Sequence, residues 1–169
     1  MIVIVDEAVF TSTRTDMLAL LALLHLCFDG RHALVTEPLF MPGASPAIDA
    51  WLAGLPAPLL DEARFVLEEG PNAATNAPAR AARVRVADSA QSVFRGSIPE
   101  LTLPDALRLL QTPLRLLVEN RRNDGAFLRK LALPEARKKL VEALAKRWVE
   151  FDNGGGITEL TARVRELDR

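Results

Sequence analysis

The sequence lacks the features of several common protein classes. Cysteine occurs once, as Cys27, which excludes an internal disulfide and any cysteine-based zinc cluster. The longest apolar run, Met17 to Phe28, is shorter than the roughly 20 residues that cross a bilayer. The N-terminus reads MIVIVDE, with acidic residues where a secretory signal carries positive charge. We therefore expect a cytoplasmic protein with no membrane partner.

Familiar catalytic signatures are missing as well. The chain has no Gly-x-Ser-x-Gly motif, no Walker-type phosphate loop and no dinucleotide-binding fingerprint. Its two histidines, His25 in the leucine-rich run and His32 near the start of a predicted strand, lack the spacing of metal ligands. We interpret His25 as a satisfied core histidine and His32 as a residue at the start of a strand.

The composition is that of an ordinary globular protein, with 49% apolar and 25% charged residues among 169. This length suits one domain or two small ones. A strand over Ile2–Val5, a helix over Asp16–Phe28 capped by Thr15, and a strand over His32–Thr36 form a β-α-β outline. Residues 1–112 are thus predicted to form an N-terminal α/β or α+β module of unknown role.

The rest of this module is read from periodicity and from glycine and proline. Helices are expected around Ile48–Ala53, over Leu59–Glu69 and over Leu103–Gln111. The stretch Gly70–Ala82 is the best candidate for a loop or linker. Arg83–Ala87 alternates charge and valine, which predicts an exposed or edge strand.

Residues 113–169 are predicted to form a second unit with the order β-α-α-β-loop-α. The predicted elements are a strand over Leu114–Val118, helices over Asn123–Leu131 and Pro134–Arg147, a strand over Trp148–Phe151, a glycine turn over Asp152–Gly156 and a helix over Thr158–Leu167. Glu119 directly follows the first strand. Open parallel sheets keep their chemistry at the carboxyl ends of strands, so this glutamate is a candidate site residue.

The charge is unevenly distributed. Residues 114–147 carry ten basic and four acidic side chains, a net charge of +6, whereas residues 1–113 carry eight basic and thirteen acidic ones, a net charge of −5. A basic block around candidate carboxylates indicates a polyanionic partner. The alternative is a helix whose charged face is simply solvated.

The pattern V-E-N-x-x-N-D-G-A-F-L, followed by a basic helix, a strand and Gly-Gly-Gly, resembles the Toprim domain of topoisomerases, bacterial primases and OLD-type nucleases. The resemblance covers about a third of the chain and implies a partial Toprim-like Rossmannoid parallel sheet. It matches Glu119 to the family's strand-end glutamate and Asp124 to the acidic residue that opens the next helix. Asn120 stands where the family usually has glycine.

This resemblance implies Mg²⁺ or Mn²⁺ as a cofactor, with Glu119 as metal ligand or general acid/base and Asp124 as a second ligand. The family's Asp-x-Asp motif does not occur after Glu119. One carboxylate rarely holds a hard divalent cation, so the chain carries half of an active centre. We expect the remainder to come from a longer protein or from a partner protein, unless catalysis has been lost. Asp124 has an alternative role as a helix cap, for which Asn123 competes.

Further candidate residues would contact phosphate. If nucleic acid crosses the sheet edge, the contacts are expected from Arg121, Arg122, Arg129 and Lys130. The stretch lacks interleaved aromatic residues, so base stacking is not indicated. Gly154, Gly155 and Gly156 are predicted to form a phosphate loop at the start of the final helix. The alternative is that these glycines serve only a tight turn.

The expected function is the front part of a Mg²⁺-dependent, Toprim-type nuclease of DNA repair or phage defence, with nucleic acid, in the first place DNA, as partner. The alternative function is a non-catalytic protein-interaction or scaffold module. The sequence does not decide whether the chain forms a homo-oligomer. One other acidic group, Asp6, Glu7 and Asp16, lies near a strand end and is a weaker metal candidate.

Overall fold

The computed structural model describes residues 1–153, Thr161 and Arg165. The chain divides into two compact units, Met1–Gln111 and Thr112–Arg169, called unit 1 and unit 2. Both belong to the α/β class, because each combines parallel strands with connecting helices. Among the described residues, no helix combines the length and apolar composition needed to cross a membrane.

Unit 1 is a parallel sheet with helices between its strands. Its elements are β1 (Ile2–Asp6), α1 (Ala8–Thr11), α2 (Met17–Phe28), β2 (Ala33–Glu37), α3 (Pro46–Ala53), α4 (Ala57–Thr75), β3 (Arg83–Val86), β4 (Glu100–Leu101) and α5 (Leu103–Gln111). The strand order is β2-β1-β3-β4 and neighbouring strands are parallel. The predicted β-α-β start is confirmed.

The core of unit 1 follows from the period of two along its strands. The register places Val3 beside Leu34 on one side and Val84 on the other, and all three side chains are buried. Leucines of α2 and α4 join this cluster, which explains why α2 is apolar nearly all round.

Three expectations for unit 1 are wrong in detail. Asp16, rather than Thr15, caps α2, since its carboxylate accepts the backbone N–H of Leu18 at 3.1 Å. Helix α4 continues into the expected linker Gly70–Ala82 and ends at Thr75. Strand β3 is not at the edge, because it pairs with β1 and also with the short strand β4.

Unit 2 consists, in its described part, of β5 (Leu114–Val118), α6 (Arg121–Leu131), α7 (Pro134–Ala145) and β6 (Val149–Asn153). The two strands are parallel, with Leu114 opposite Val149 and Val118 opposite Asn153. The expected β-α-α-β order is therefore confirmed. Asp152 and Asn153 continue β6, although the sequence placed Asp152 in the following turn. The expected loop and final helix lie outside the described residues, except that Thr161 and Arg165 are helical.

Candidate functional site

The candidate site lies at the carboxyl edge of the β5–β6 sheet. Because the strands are parallel and Val118 pairs with Asn153, the residues that follow both strands emerge at the same edge. Glu119 is the first residue after β5 and is exposed. Its carboxylate is accessible where open α/β sheets bind ligands.

Helix α6 begins with a reciprocal cap immediately after Glu119. The side-chain oxygen of Asn120 accepts the backbone N–H groups of Arg122 and Asn123, both at 3.1 Å. In return, a carboxylate oxygen of Asp124 accepts the backbone N–H of Asn120 at 2.8 Å. This arrangement resembles a capping box and satisfies three N–H groups at the helix start. The cap is therefore Asn120, and the expectation that Asn123 or Asp124 fills this position is wrong.

The described carboxylates at this edge have the right chemistry for Mg²⁺ or Mn²⁺, but the described residues supply fewer of them than such an ion needs. Glu119 and Asp124 offer hard oxygen ligands, and one oxygen of Asp124 already binds the Asn120 N–H. In the described part of the chain, no group of three or more histidine, cysteine, aspartate or glutamate side chains is placed to hold a metal ion. The described residues thus fit part of a metal site, and no catalytic step follows from them alone.

The predicted phosphate-contacting residues lie on α6. Arg121 and Arg122 occupy its first turn, while Arg129 and Lys130 lie in its last turn. The side chains of Arg122, Arg129 and Lys130 are exposed. The Nε–H of Arg129 donates to the Gly125 carbonyl at 3.1 Å, which fixes the direction of its guanidinium. The side chain of Arg121 lies outside the described atoms.

Some cations of unit 2 already have partners. Arg115 lies 3.8 Å from Asp152, and Lys146 lies 3.0 Å from Glu142 and 4.4 Å from the centre of the Trp148 ring. Arg137 donates to backbone carbonyls at the end of α6, where a cation is favourable. No ion pair with a described carboxylate is made by Arg122, Lys130, Lys138 or Lys139.

A cavity that sequence reasoning did not anticipate lies beside these arginines. It measures about 420 Å³ and is lined by Arg122, Arg129, Leu144 and Phe151. Phe151 belongs to β6 and Leu144 to α7, so neither neighbours the arginines along the chain. In the sequence, only Gly125 pointed to this contact between elements, because a glycine inside a helix often marks a close approach by another element.

The glycines of the proposed phosphate loop, Gly154, Gly155 and Gly156, lie outside the described residues. The structure shows that β6 ends, at Asn153, at the same sheet edge as Glu119. The phosphate loop stays a prediction.

In the acidic group Asp6, Glu7 and Asp16 of unit 1, Asp6 and Asp16 have structural partners. Asp6 pairs with Arg85 at 2.5 Å, and Arg85 also pairs with Glu37. The hydrogen bond to Asp6 raises the pKa of the Arg85 guanidinium further above its usual range. Asp16 caps α2, and Glu7 occupies the residue before α1. Burial raises the pKa of the Cys27 thiol to about 12, so this cysteine is not a nucleophile at neutral pH.

Comparisons of the chain with protein-family models, curated proteins and solved structures found no match. The resemblance to the Toprim domain therefore stays a prediction, and the functional interpretation depends on the geometry of the chain itself.

Proposed function

We propose that this chain is a nucleic-acid-processing protein whose unit 2 binds DNA, with Glu119 at the point of phosphate chemistry. The main support is the carboxyl edge of the β5–β6 sheet, where Glu119 stands directly before the arginine-bearing start of α6. An exposed carboxylate beside exposed cations suits a phosphodiester, which needs charge neutralisation and an acid/base group together.

Electrostatics favour an anionic partner for this surface. The N-terminal end of a helix carries partial positive charge, so two arginines in the first turn of α6 raise the local potential. A phosphate group would relieve this repulsion and accept hydrogen bonds from the guanidinium groups. Lys138 and Lys139 of α7 make no ion pair with a described carboxylate and add to the positive charge of unit 2.

The catalytic part of the proposal is a Toprim-type nuclease that depends on Mg²⁺ or Mn²⁺. Glu119 and Asp124 supply oxygen ligands of the right chemical type. The remaining carboxylates would come from a partner protein or from residues beyond those described. In this proposal Glu119 holds the metal or moves a proton, and the arginines orient the phosphate.

The test is DNA binding measured by fluorescence anisotropy across a series of salt concentrations. Arg122→Ala and Lys130→Ala are expected to weaken binding and to reduce the slope of log K against log salt by about 1 each. The control is Arg108→Ala in unit 1, a surface arginine 3.3 Å from Asp105, which should leave the slope unchanged. Absence of salt-dependent binding, or equal slopes for all variants, would contradict the proposal.

The same titration examines the carboxylate. With Mg²⁺ present, Glu119→Gln should remove any metal-dependent gain in DNA affinity while leaving the salt slope intact. Tighter binding of Glu119→Gln both with and without Mg²⁺ would show that Glu119 acts only as a repulsive charge.

A second candidate function is a protein-interaction module. Unit 2 exposes several apolar side chains on and between its helices, including Leu131 at 65% and Leu133 at 77%. Exposed apolar groups of this size are typical of interaction surfaces. A stable heteromeric complex formed by a chain that has no affinity for DNA would favour this function.

A further inference from the structure

The cavity of unit 2 lies along one stripe of α6. Arg122 and Arg129 are seven residues apart, which places them on the same helix face about two turns from each other. Gly125 lies between them on that face, and the ring of Phe151 packs against it. The two arginines and this ring line the same cavity.

Apart from the two arginines, the described lining of the cavity is apolar. Phe151 is only 9% exposed, and a Cβ atom added at Gly125 would lie 3.2 Å from its ring atom Cδ2. Leu144 of α7 completes the described lining. A volume of about 420 Å³ falls within the range of small-ligand pockets.

We infer that this cavity binds one unpaired nucleotide, with its phosphate at Arg122 and Arg129 and its base above Phe151 and Leu144. This inference depends on the proposed function and specifies the form of nucleic acid that unit 2 takes. A bare anion would gain nothing from an apolar floor, and a purely apolar ligand would leave two arginines unused. A phosphate joined to a flat aromatic ring matches both halves of the lining.

The orientation of Arg129 supports this assignment. Its Nε–H is occupied by the Gly125 carbonyl, so the terminal nitrogens are directed away from that bond and remain available to phosphate oxygens. A base held in a duplex must leave its stack before it enters such a cavity, and this costs free energy. Unit 2 should therefore prefer single strands or frayed ends to blunt duplex DNA.

The experiment titrates the full chain with deoxyadenosine monophosphate, and separately with inorganic phosphate, by calorimetry. Leu144→Trp places a larger side chain in the cavity without changing charge. Val141→Trp is the matched control, because Val141 lies on the same helix, is exposed and does not line the cavity. Stacking contributions predict that the wild-type chain binds the nucleotide roughly five- to a hundredfold more tightly than phosphate, and that Leu144→Trp alone removes this preference.

The outcomes separate this inference from the proposed function. Equal affinity for phosphate and nucleotide in the wild-type chain overturns the inference, and this comparison needs no variant to fold. Equal loss in Leu144→Trp and Val141→Trp also overturns it. If Leu144→Trp still binds blunt duplex DNA in a salt-dependent way, the proposed function is supported. This conclusion does not depend on the nucleotide result.

Discussion

His32 illustrates how the environment of a single residue decides its chemistry. Its side chain is 8% exposed, and its Nε2 lies 3.3 Å from the Leu110 carbonyl, an acceptor that assigns the proton to Nε2. Burial lowers the pKa of His32 to about 4, so the ring is neutral at pH 7. His32 lies directly before β2, in agreement with its interpretation as a residue at the start of a strand. The interpretation of His25 as a core histidine is wrong, because its side chain is 65% exposed.

This burial predicts that acid destabilises unit 1. The unfolded chain binds a proton at His32 below about pH 6.5, whereas the folded chain binds it only near pH 4. The free energy of unfolding should therefore be largest above pH 6.5 and fall as the pH drops towards 4, by on the order of 3 kcal/mol in total. Urea unfolding at pH 5 and pH 7 measures the loss.

The matched variants use the only two histidines of the sequence. His32→Gln should make the free energy of unfolding fall less between pH 7 and pH 5 than it does in the parent chain. His25→Gln, at an exposed histidine 2.7 Å from Glu62, should keep the pH dependence of the parent chain. Identical pH profiles for the parent and His32→Gln would refute the assignment.

The start of α6 shows the limit of local reasoning about residues. Asn120, Asn123 and Asp124 are all good capping residues, so the sequence alone leaves the helix start open by several positions. The extended backbone of Asn120, two residues after the end of β5, makes it the cap and turns Asp124 back towards it. The strand end, rather than capping preference, selects the residue.

Among the elements, α4 departs most from expectation. The pair Gly70-Pro71 predicts a helix end, since proline cannot donate to the carbonyl four residues earlier. The helix nevertheless continues to Thr75, because Gly70 lets α4 lie directly against the backbone of β2. Burial along this contact stabilises the helix enough to offset one missing hydrogen bond.

This contact predicts that Gly70→Ala is strongly destabilising. A Cβ atom at residue 70 would lie 1.7 Å from the Leu34 carbonyl oxygen, so α4 or β2 must move. We expect a loss on the order of 3 kcal/mol in the free energy of unfolding, measured by urea denaturation. Gly54→Ala is the control, since its added Cβ meets only the Trp51 carbonyl at 3.3 Å and its φ is −81°. A change in Gly70→Ala no larger than in Gly54→Ala would contradict this packing.

At the scale of the whole molecule, the described parts of the two units differ in how much apolar surface they bury. The large core cluster belongs entirely to unit 1. Within residues 112–153, the buried apolar side chains are Val118 and Phe151. Burial of apolar area is the main stabilising term in folding, so unit 2 should be the less stable unit.

Two tryptophans allow this difference to be measured, since Trp51 lies in unit 1 and Trp148 in unit 2. In a Trp51→Phe variant the remaining tryptophan reports unit 2, and in Trp148→Phe it reports unit 1. We expect the fluorescence of Trp51→Phe to change at the lower urea concentration. Circular dichroism should then show both transitions in the parent chain. Coincident transitions in both variants would indicate one cooperative unit.

Most of the fold could be predicted from the sequence because its signals are local. The strands near Ile2, Ala33 and Leu114 and the helices α2, α5 and α7 follow from periodicity and from glycine and proline nearby. Glu119 at a strand end is likewise a local pattern, and the structure places it at the carboxyl edge of β5 and β6.

By itself, the sequence determined the α/β class, the order of most elements and the basic character of residues 114–147, since these depend on neighbours along the chain. The short elements α1 and β4 were not predicted. Only the tertiary structure decided that α4 crosses Gly70-Pro71 and that β3 lies inside its sheet. It also brought Phe151 beside Arg122 and Arg129, although more than twenty residues separate them along the chain. The physical reason is that packing free energy depends on residues distant in sequence, which no local pattern contains.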